Sequence, residues 1–290
     1  MDWVILSLAS AFFLATSDAL VKKAVLDENE YMVAWFRLLF TLPVLIITLV
    51  LTPWPVLDKD FYQAFFIALP VELITIILYV KALKLSPLSL TVPFLSLTPV
   101  FLISISYLLL GEKVSLIGAL GILLIAAGGY ILNIDTVRRG LFEPVRSIVR
   151  DKGALLMIAV ALLYSITSSL GKIAITHSSP LFFGTSYFIA LNIAFLPVAL
   201  LKGRGTAKEF IRAGKYKRLF YPGVFYALMV VTHMEAMSMT KVAYMISVKR
   251  TSLLMGVIYG YFLFQEKHMK GRFIGALLMF AGFVLVVSSR

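Results

Sequence analysis

Residues 103–132 read ISISYLLLGEKVSLIGALGILLIAAGGYIL, and residues 257–286 read VIYGYFLFQEKHMKGRFIGALLMFAGFVLV. The second stretch follows the first by 154 positions without a gap, so that Glu112-Lys113 meets Glu266-Lys267 and Gly121 meets Gly275. Leu123-Leu124 falls on Leu277-Leu278, and Ala127-Gly128 on Ala281-Gly282. The register reaches back to residues 79–132 against 233–286, with Ala82 on Ala236. A shift of 150 lays Leu20, Lys22 and Ala24 on Leu170, Lys172 and Ala174. A fixed offset held over such a length is the mark of a duplicated chain.

Each copy is too apolar for a soluble domain. Of 290 residues, 60% are hydrophobic and 14% charged, against about 45–50% and 25% in soluble domains. A helix crossing a bilayer takes about 20 apolar residues. Ten blocks meet that length: 3–24, 31–51, 62–83, 88–110, 115–133, 154–175, 181–201, 219–239, 242–264 and 271–288. The expected fold is an all-α membrane protein with ten transmembrane helices in a five-plus-five inverted repeat. Five is odd, so the second copy must enter the membrane from the opposite side. The first repeat covers 1–135 (spans 1–5), a basic interfacial connection covers 136–152, and the second repeat covers 153–290 (spans 6–10). The first block is expected to be a retained span, because it lacks a basic start, carries Asp18 and is followed at once by further spans.

Charge and composition exclude several functions. Lys and Arg number 27 against 15 Asp and Glu, a formal charge of +12. Too few of them lie outside the apolar blocks to build a nucleic-acid groove, so the expected partners are anionic membrane lipids and no nucleic acid. Most cluster in the odd-numbered connections, whereas Lys59, Lys113, Lys172, Lys241 and Arg290 fall on the other face. The positive-inside rule then places the odd-numbered connections in the cytoplasm and both termini outside. No cysteine is present, which removes disulfides, zinc-thiolate sites and cysteine catalysis. Three histidines leave little for a metal site, and no cofactor is expected. The chain has no nucleotide-binding glycine loop and no serine–histidine arrangement with an orienting acid, so an enzyme is not expected. The expected location is a prokaryotic plasma (inner) membrane, with a homodimer left open.

With no soluble domain, the chemistry must come from charges inside the spans. A Lys or Arg at mid-span costs about 2.5–3.5 kcal/mol on insertion scales. Lys249 and Arg250 are adjacent, about two turns into the ninth span, and must face a wet cavity, an acid or an anionic ligand. A planar guanidinium beside a mobile ammonium suits an anion with several oxygens, such as phosphate. Asp18 in the first span has two candidate partners, Lys22 one turn on and Arg37 in the second span. His233 could titrate near neutral pH or hold a packing hydrogen bond.

The ten blocks, the repeat, and Gly111-Glu112-Lys113 and Gln265-Glu266-Lys267 closing the fourth and ninth spans resemble the drug/metabolite transporter superfamily, EamA type. The resemblance covers the whole chain and implies a transporter with both termini in the cytoplasm, the reverse of the charge reading. Ser247-Val248-Lys249-Arg250 resembles the ninth span of sugar-phosphate and nucleotide-sugar translocators of that superfamily. There a Lys-Arg pair binds the substrate phosphate with help from an eighth-span tyrosine, which implies those roles for Lys249, Arg250 and Tyr226. The translocators' fourth-span lysine corresponds to Leu95 in Leu95-Ser96-Leu97-Thr98-Pro99. With that cation missing, a monoanion, phosphodiester or carboxylate enters alongside a sugar phosphate. The small multidrug exporters' first-span carboxylate corresponds to Leu14, which argues against a cationic drug as substrate.

The same offset maps Tyr226 onto Glu72, His233 onto Tyr79 and Lys249-Arg250 onto Leu95-Ser96. Tyr226 and His233 share one helix face, as do Glu72 and Tyr79, so the halves are expected to supply a basic and an acidic wall. Glu72 is either a proton-titrating competitor of substrate or a permanent salt-bridge partner. The expected function is a secondary transporter moving a small organic anion by alternating access, at a site drawn from Lys249, Arg250, Tyr226, Glu72, Asp18, Arg37 and His233. The alternatives are an exporter of amino acids or other zwitterions, and a lipid-phosphate flippase.

Overall fold

A computed structural model describes residues 2–24, 28–86, 91–133, 151–264 and 270–289. Among them every regular element is helical: α1 Asp2–Ala24, α2 Glu30–Leu39, α3 Leu42–Leu51, α4 Lys59–Leu85, α5 Thr98–Leu110, α6 Leu116–Asn133, α7 Lys152–Thr176, α8 Pro180–Lys202, α9 Ala207–Arg212, α10 Phe220–Met239, α11 Val242–Lys249, α12 Ser252–Phe264 and α13 Lys270–Ser288. Two 3-10 helices, Val92–Leu97 and Lys215–Leu219, precede α5 and α10. Helices satisfy their own backbone groups, as an apolar surrounding requires. Six segments are long and apolar enough to cross a membrane: Asp2–Lys23, Glu30–Leu51, Lys59–Leu85, Val92–Leu110, Lys152–Thr176 and Pro180–Lys202. Leu116–Leu132 and Phe273–Ser288 are shorter apolar helices. Residues 136–150 of the expected basic connection and Gln265-Glu266-Lys267 lie outside the described residues.

Three of the apolar blocks are each two helices rather than one. The second is broken at Phe40-Thr41 ahead of Pro43, and the fourth changes from 3-10 to α at Thr98-Pro99. Proline supplies no N–H to the preceding turn. The ninth is broken at Arg250-Thr251 without a proline. The 154-residue offset carries the limits of α5 onto those of α12, so the fourth and ninth blocks break at equivalent positions. Ends are marked by local chemistry. The Asn29 side chain accepts the N–H groups of Tyr31 and Met32 at the start of α2, and Ser179 accepts that of Phe182 at the start of α8. Gly111, with φ of 69°, closes α5 in the left-handed conformation.

The chain forms two compact units, each drawn from both sequence halves. The first holds residues 1–69 and 171–239. In it α1 and α10 run antiparallel: the Ser10 hydroxyl donates to the Met229 carbonyl (3.3 Å) and Ser17 to that of Pro222 (2.8 Å). Met32, Val33, Phe36, Ala199, Phe210 and Leu219 form its buried cluster, which ties the basic stretch around α9 to α2 and α8.

The second unit holds residues 70–170 and 240–290. Its α6 and α13 meet along glycines. A methyl group at Gly121 would stand 2.7 Å from the Gly282 carbonyl oxygen, and one at Gly128 2.6 Å from that of Gly275. The reverse contacts are as short, 2.7 Å from Gly275 to the Gly128 oxygen and 2.5 Å from Gly282 to the Gly121 oxygen. The helices are therefore antiparallel with backbones in contact, a closeness that small residues permit. The 154-residue offset exchanges the two contacts, since it carries Gly121 to Gly275 and Gly128 to Gly282.

Candidate functional site

In the second unit Lys249 ends α11, where its charge offsets the negative pole of the helix. Arg250 follows in a tight turn. Its N–H is shared between the Ile246 and Ser247 carbonyls (both 3.1 Å), and that of Thr251 bonds the Val248 carbonyl (3.0 Å), so the backbone stays satisfied through the break. The Arg250 guanidinium donates through Nη2 to Thr98 Oγ1 at 2.8 Å, and the Thr98 hydroxyl donates to the Leu95 carbonyl at 2.9 Å. Thr98 opens α5, so this bond joins the two equivalent breaks. Arg250 Nε is buried and has no hydrogen-bond partner among the described residues. Tyr79 on α4 and Tyr164 on α7 act electrostatically on the guanidinium. Glu72, on α4, lies deep in the unit yet keeps some accessible surface. The Thr167 hydroxyl on α7 hydrogen-bonds its carboxylate, and Lys249 acts on it electrostatically.

The remaining expected site residues lie in the first unit. Arg37 Nη1 meets Asp18 Oδ1 at 2.6 Å, with the Asp18 side chain 58% exposed and that of Arg37 23%. The Arg37 guanidinium also lies over the Tyr226 ring, 4.4 Å from its centroid, and Phe188 packs edge-on against that ring. Of the two candidate partners for Asp18, Arg37 makes this contact. His233 sits partly buried on α10, two turns beyond Tyr226. Lys172 donates to the carbonyls of Met237 and Ser238 and so caps the C-terminal end of α10.

A model of the EamA-like transporter family matches residues 1–134 and again 151–288. The chain belongs to that family. It is accordingly a multi-pass membrane protein of a transporter family. No curated protein matches this EamA-like chain. A solved crystal structure is similar to it with TM-score 0.75 and 14% identity, over 99% of this chain and 97% of that one. At that identity the likeness concerns the fold alone.

The EamA-like chain also holds roles that its sequence did not announce. Glu112, of the Gly-Glu-Lys motif, accepts the Val242 N–H through Oε2 at 2.9 Å, where the N-cap residue Lys241 supplies no side-chain cap. Lys241 in turn donates to the Lys113 carbonyl (2.7 Å), and the Tyr244 hydroxyl accepts the Ser115 N–H (3.1 Å). The motif thus secures the first turn of the half-helix whose last residue is Lys249. Glu112→Ala is expected to cost about 1 kcal/mol, the usual worth of a cap, read as a lower melting temperature, with Glu112→Gln losing less.

Asp58, Asp60 and His177 of the first unit bring ligand-type atoms within 4.8 Å of one another at an exposed place. His177 Nδ1 meets Asp58 Oδ2 at 2.6 Å, while Nε2 stands 3.9 Å from Asp60 Oδ2. The Asp58 carboxylate also accepts the Phe61 N–H at 3.0 Å, at the start of α4. The Phe61 bond and then His177 hold its carboxyl below the usual range. Helix capping and this pair account for the cluster.

Proposed function

We propose that this EamA-like chain is a secondary transporter for a small organic anion, working by alternating access. Ten spans fit the helices: α1, α2 with α3, α4, the Val92–Leu97 turn with α5, α6, α7, α8, α10, α11 with α12, and α13. The reciprocal glycine contacts of α6 and α13 and the equivalent breaks ahead of α5 and α12 support an inverted repeat. In transporters built this way, discontinuous spans frame the substrate.

One observation carries the reading. The ninth block breaks at its only adjacent cations, and Arg250 is held there by Thr98 with Nε still unpartnered among the described residues. An arginine fixed at one nitrogen and open at another suits an oxyanion. Lys249 supplies the second charge, and the cargo is a metabolite bearing phosphate, sulfonate or carboxylate. Tyr226 lies with Arg37 in the first unit, and the binding group proposed here is drawn from the second unit. Glu72 beside Lys249 favours a second reading, a zwitterion whose amine meets that acid. The proposed location is a prokaryotic plasma membrane.

The experiment is a thermal-shift screen of organic anions and amino acids on the purified protein, repeated on Lys249→Ala. A ligand bound at the site raises the melting temperature through linkage, and the rise is expected to vanish in the variant. A ligand whose stabilisation survives Lys249→Ala binds elsewhere and removes the proposal. Competition by inorganic phosphate against amino acids separates the two readings.

A further inference from the structure

The connection between α8 and α10 is strongly basic: residues 202–218 hold seven Lys and Arg against one acid, Glu209. It is nevertheless folded. The Phe210 ring is buried against Phe36 of α2, with 5.4 Å between centroids. Tyr216 packs on Phe36 at 5.4 Å and stacks on Phe40 at 6.4 Å. Asn29 Nδ2 donates to the Lys202 carbonyl at 3.1 Å, and Lys215 Nζ meets Glu28 Oε1 at 2.6 Å. An apolar core and two polar ties therefore fix the connection to α2 and the residues just before it.

That fixing decides which way the charges point. Successive residues of α9 turn by about 100°. Lys208 and Arg212, four apart, share a face, and Phe210 lies on the opposite one. With Phe210 turned inward, both cations are exposed. Lys202, Arg204 and Lys217 are exposed as well. Apolar side chains stand exposed beside them in the chain: Leu201 precedes Lys202, Ile211 precedes Arg212, and Phe220-Tyr221 soon follows Lys217. Lys202 is also the last residue of Pro180–Lys202, a helix long and apolar enough to cross a membrane. The connection that continues from it stands at the level of the lipid headgroups.

We propose that this platform is a docking surface for anionic phospholipid, independent of the anion site at Arg250. Lys208, Arg212 and their exposed neighbours take headgroup phosphates. Ile211 and the apolar side chains at the ends of α8 and α10 lie against the adjoining acyl chains. An acidic polypeptide or a nucleic acid would satisfy the cations but leave those apolar side chains in water. Because the platform is packed onto α2, lipid bound here stabilises the first unit as any ligand of the folded state does.

The test uses the full-length protein in a neutral detergent. Dioleoylphosphatidylglycerol and dioleoylphosphatidylcholine are titrated in, with affinity read by native mass spectrometry and stability by melting temperature. Phosphatidylglycerol is expected to bind more tightly and to raise the melting temperature further, with the advantage shrinking as salt rises. Each surface cation near a charged leaflet is worth about fivefold in affinity. The double variant Lys208→Gln with Arg212→Gln is therefore expected to lose about twenty-five-fold for phosphatidylglycerol and little for phosphatidylcholine. Both side chains are exposed, so its melting temperature without lipid stays at the wild-type value. Lys59→Gln, an exposed cation at the start of α4, is the control and keeps wild-type lipid affinity. Ile211→Ser is expected to weaken phosphatidylglycerol, and the headgroup alone, glycerophosphoglycerol, to give no stabilisation. No preference for phosphatidylglycerol in the wild-type protein, an unchanged preference in the double variant, or an equal loss in Lys59→Gln overturns the proposal. Stabilisation by polyglutamate equal to that by phosphatidylglycerol overturns it in favour of an acidic polypeptide.

Discussion

Arg250→Ala is expected to lower the affinity for the anion proposed as substrate about a hundredfold or more, and uptake into proteoliposomes with it. Truncating one member of a buried, hydrogen-bonded charge pair commonly costs about 2–5 kcal/mol. Here the loss has two parts. The proposed anion loses the Nε that has no other partner among the described residues, and Thr98 Oγ1 loses the donor that now lies 2.8 Å away. Arg250→Lys keeps the charge and is expected to recover only part of the affinity, since an ammonium cannot hold Thr98 and an oxyanion in the same fixed fork. Thr98→Val is the companion variant: with the guanidinium no longer anchored, binding falls about tenfold while the charge is unchanged. Equal affinities in wild-type protein and Arg250→Ala, by calorimetry on correctly folded material, would show that the break is only a bend in the helix.

Gly128→Leu and Gly121→Leu are expected to leave little folded protein. A methyl group alone at Gly128 would lie 2.6 Å from the Gly275 oxygen and 2.7 Å from the Met279 nitrogen, and backbone atoms cannot swing aside as a side chain does. Gly128→Ala is therefore expected to cost about 1–3 kcal/mol, and the leucine about 4 kcal/mol or more. Fluorescence-detected gel filtration reads the outcome as loss of the monodisperse peak, with a lowered melting temperature for the alanine variant. Gly256 is the internal control, because nothing lies within 4 Å of a methyl group placed there. A Gly128→Leu protein that elutes and melts like wild type would mean that α6 and α13 do not meet along their glycines.

The sequence carries the helices better than their interruptions. The 154-residue register is legible because residues facing a common seam repeat as letters: Gly121 and Gly128 predict Gly275 and Gly282. The breaks at Phe40-Thr41, Thr98 and Arg250-Thr251 are not legible from hydropathy, since the apolar run continues across each of them. Pro43 and Pro99 were available signals; Arg250-Thr251 offered none but the charges themselves. The cations and Glu72 declare themselves in sequence because ionised groups are rare inside spans. Thr98 and Thr167 do not, because a hydroxyl in a helix ordinarily bonds its own preceding turn, as Thr75 does with the Val71 carbonyl. Their further partners are set by neighbouring helices, which no local pattern encodes. The Asp18 partner illustrates the same limit. Lys22 and Arg37 are both chemically suitable, and only the placement of α2 beside α1 makes the contact with Arg37.

The α6–α13 seam constrains how this molecule can work. Side chains adapt to motion by trading rotamers, so a surface paved with leucines can slip and reseat. Peptide planes pressed together at Gly121, Gly128, Gly275 and Gly282 have no spare torsion to trade. This pair of helices is a weld, and any rearrangement within the second unit has to flex around it.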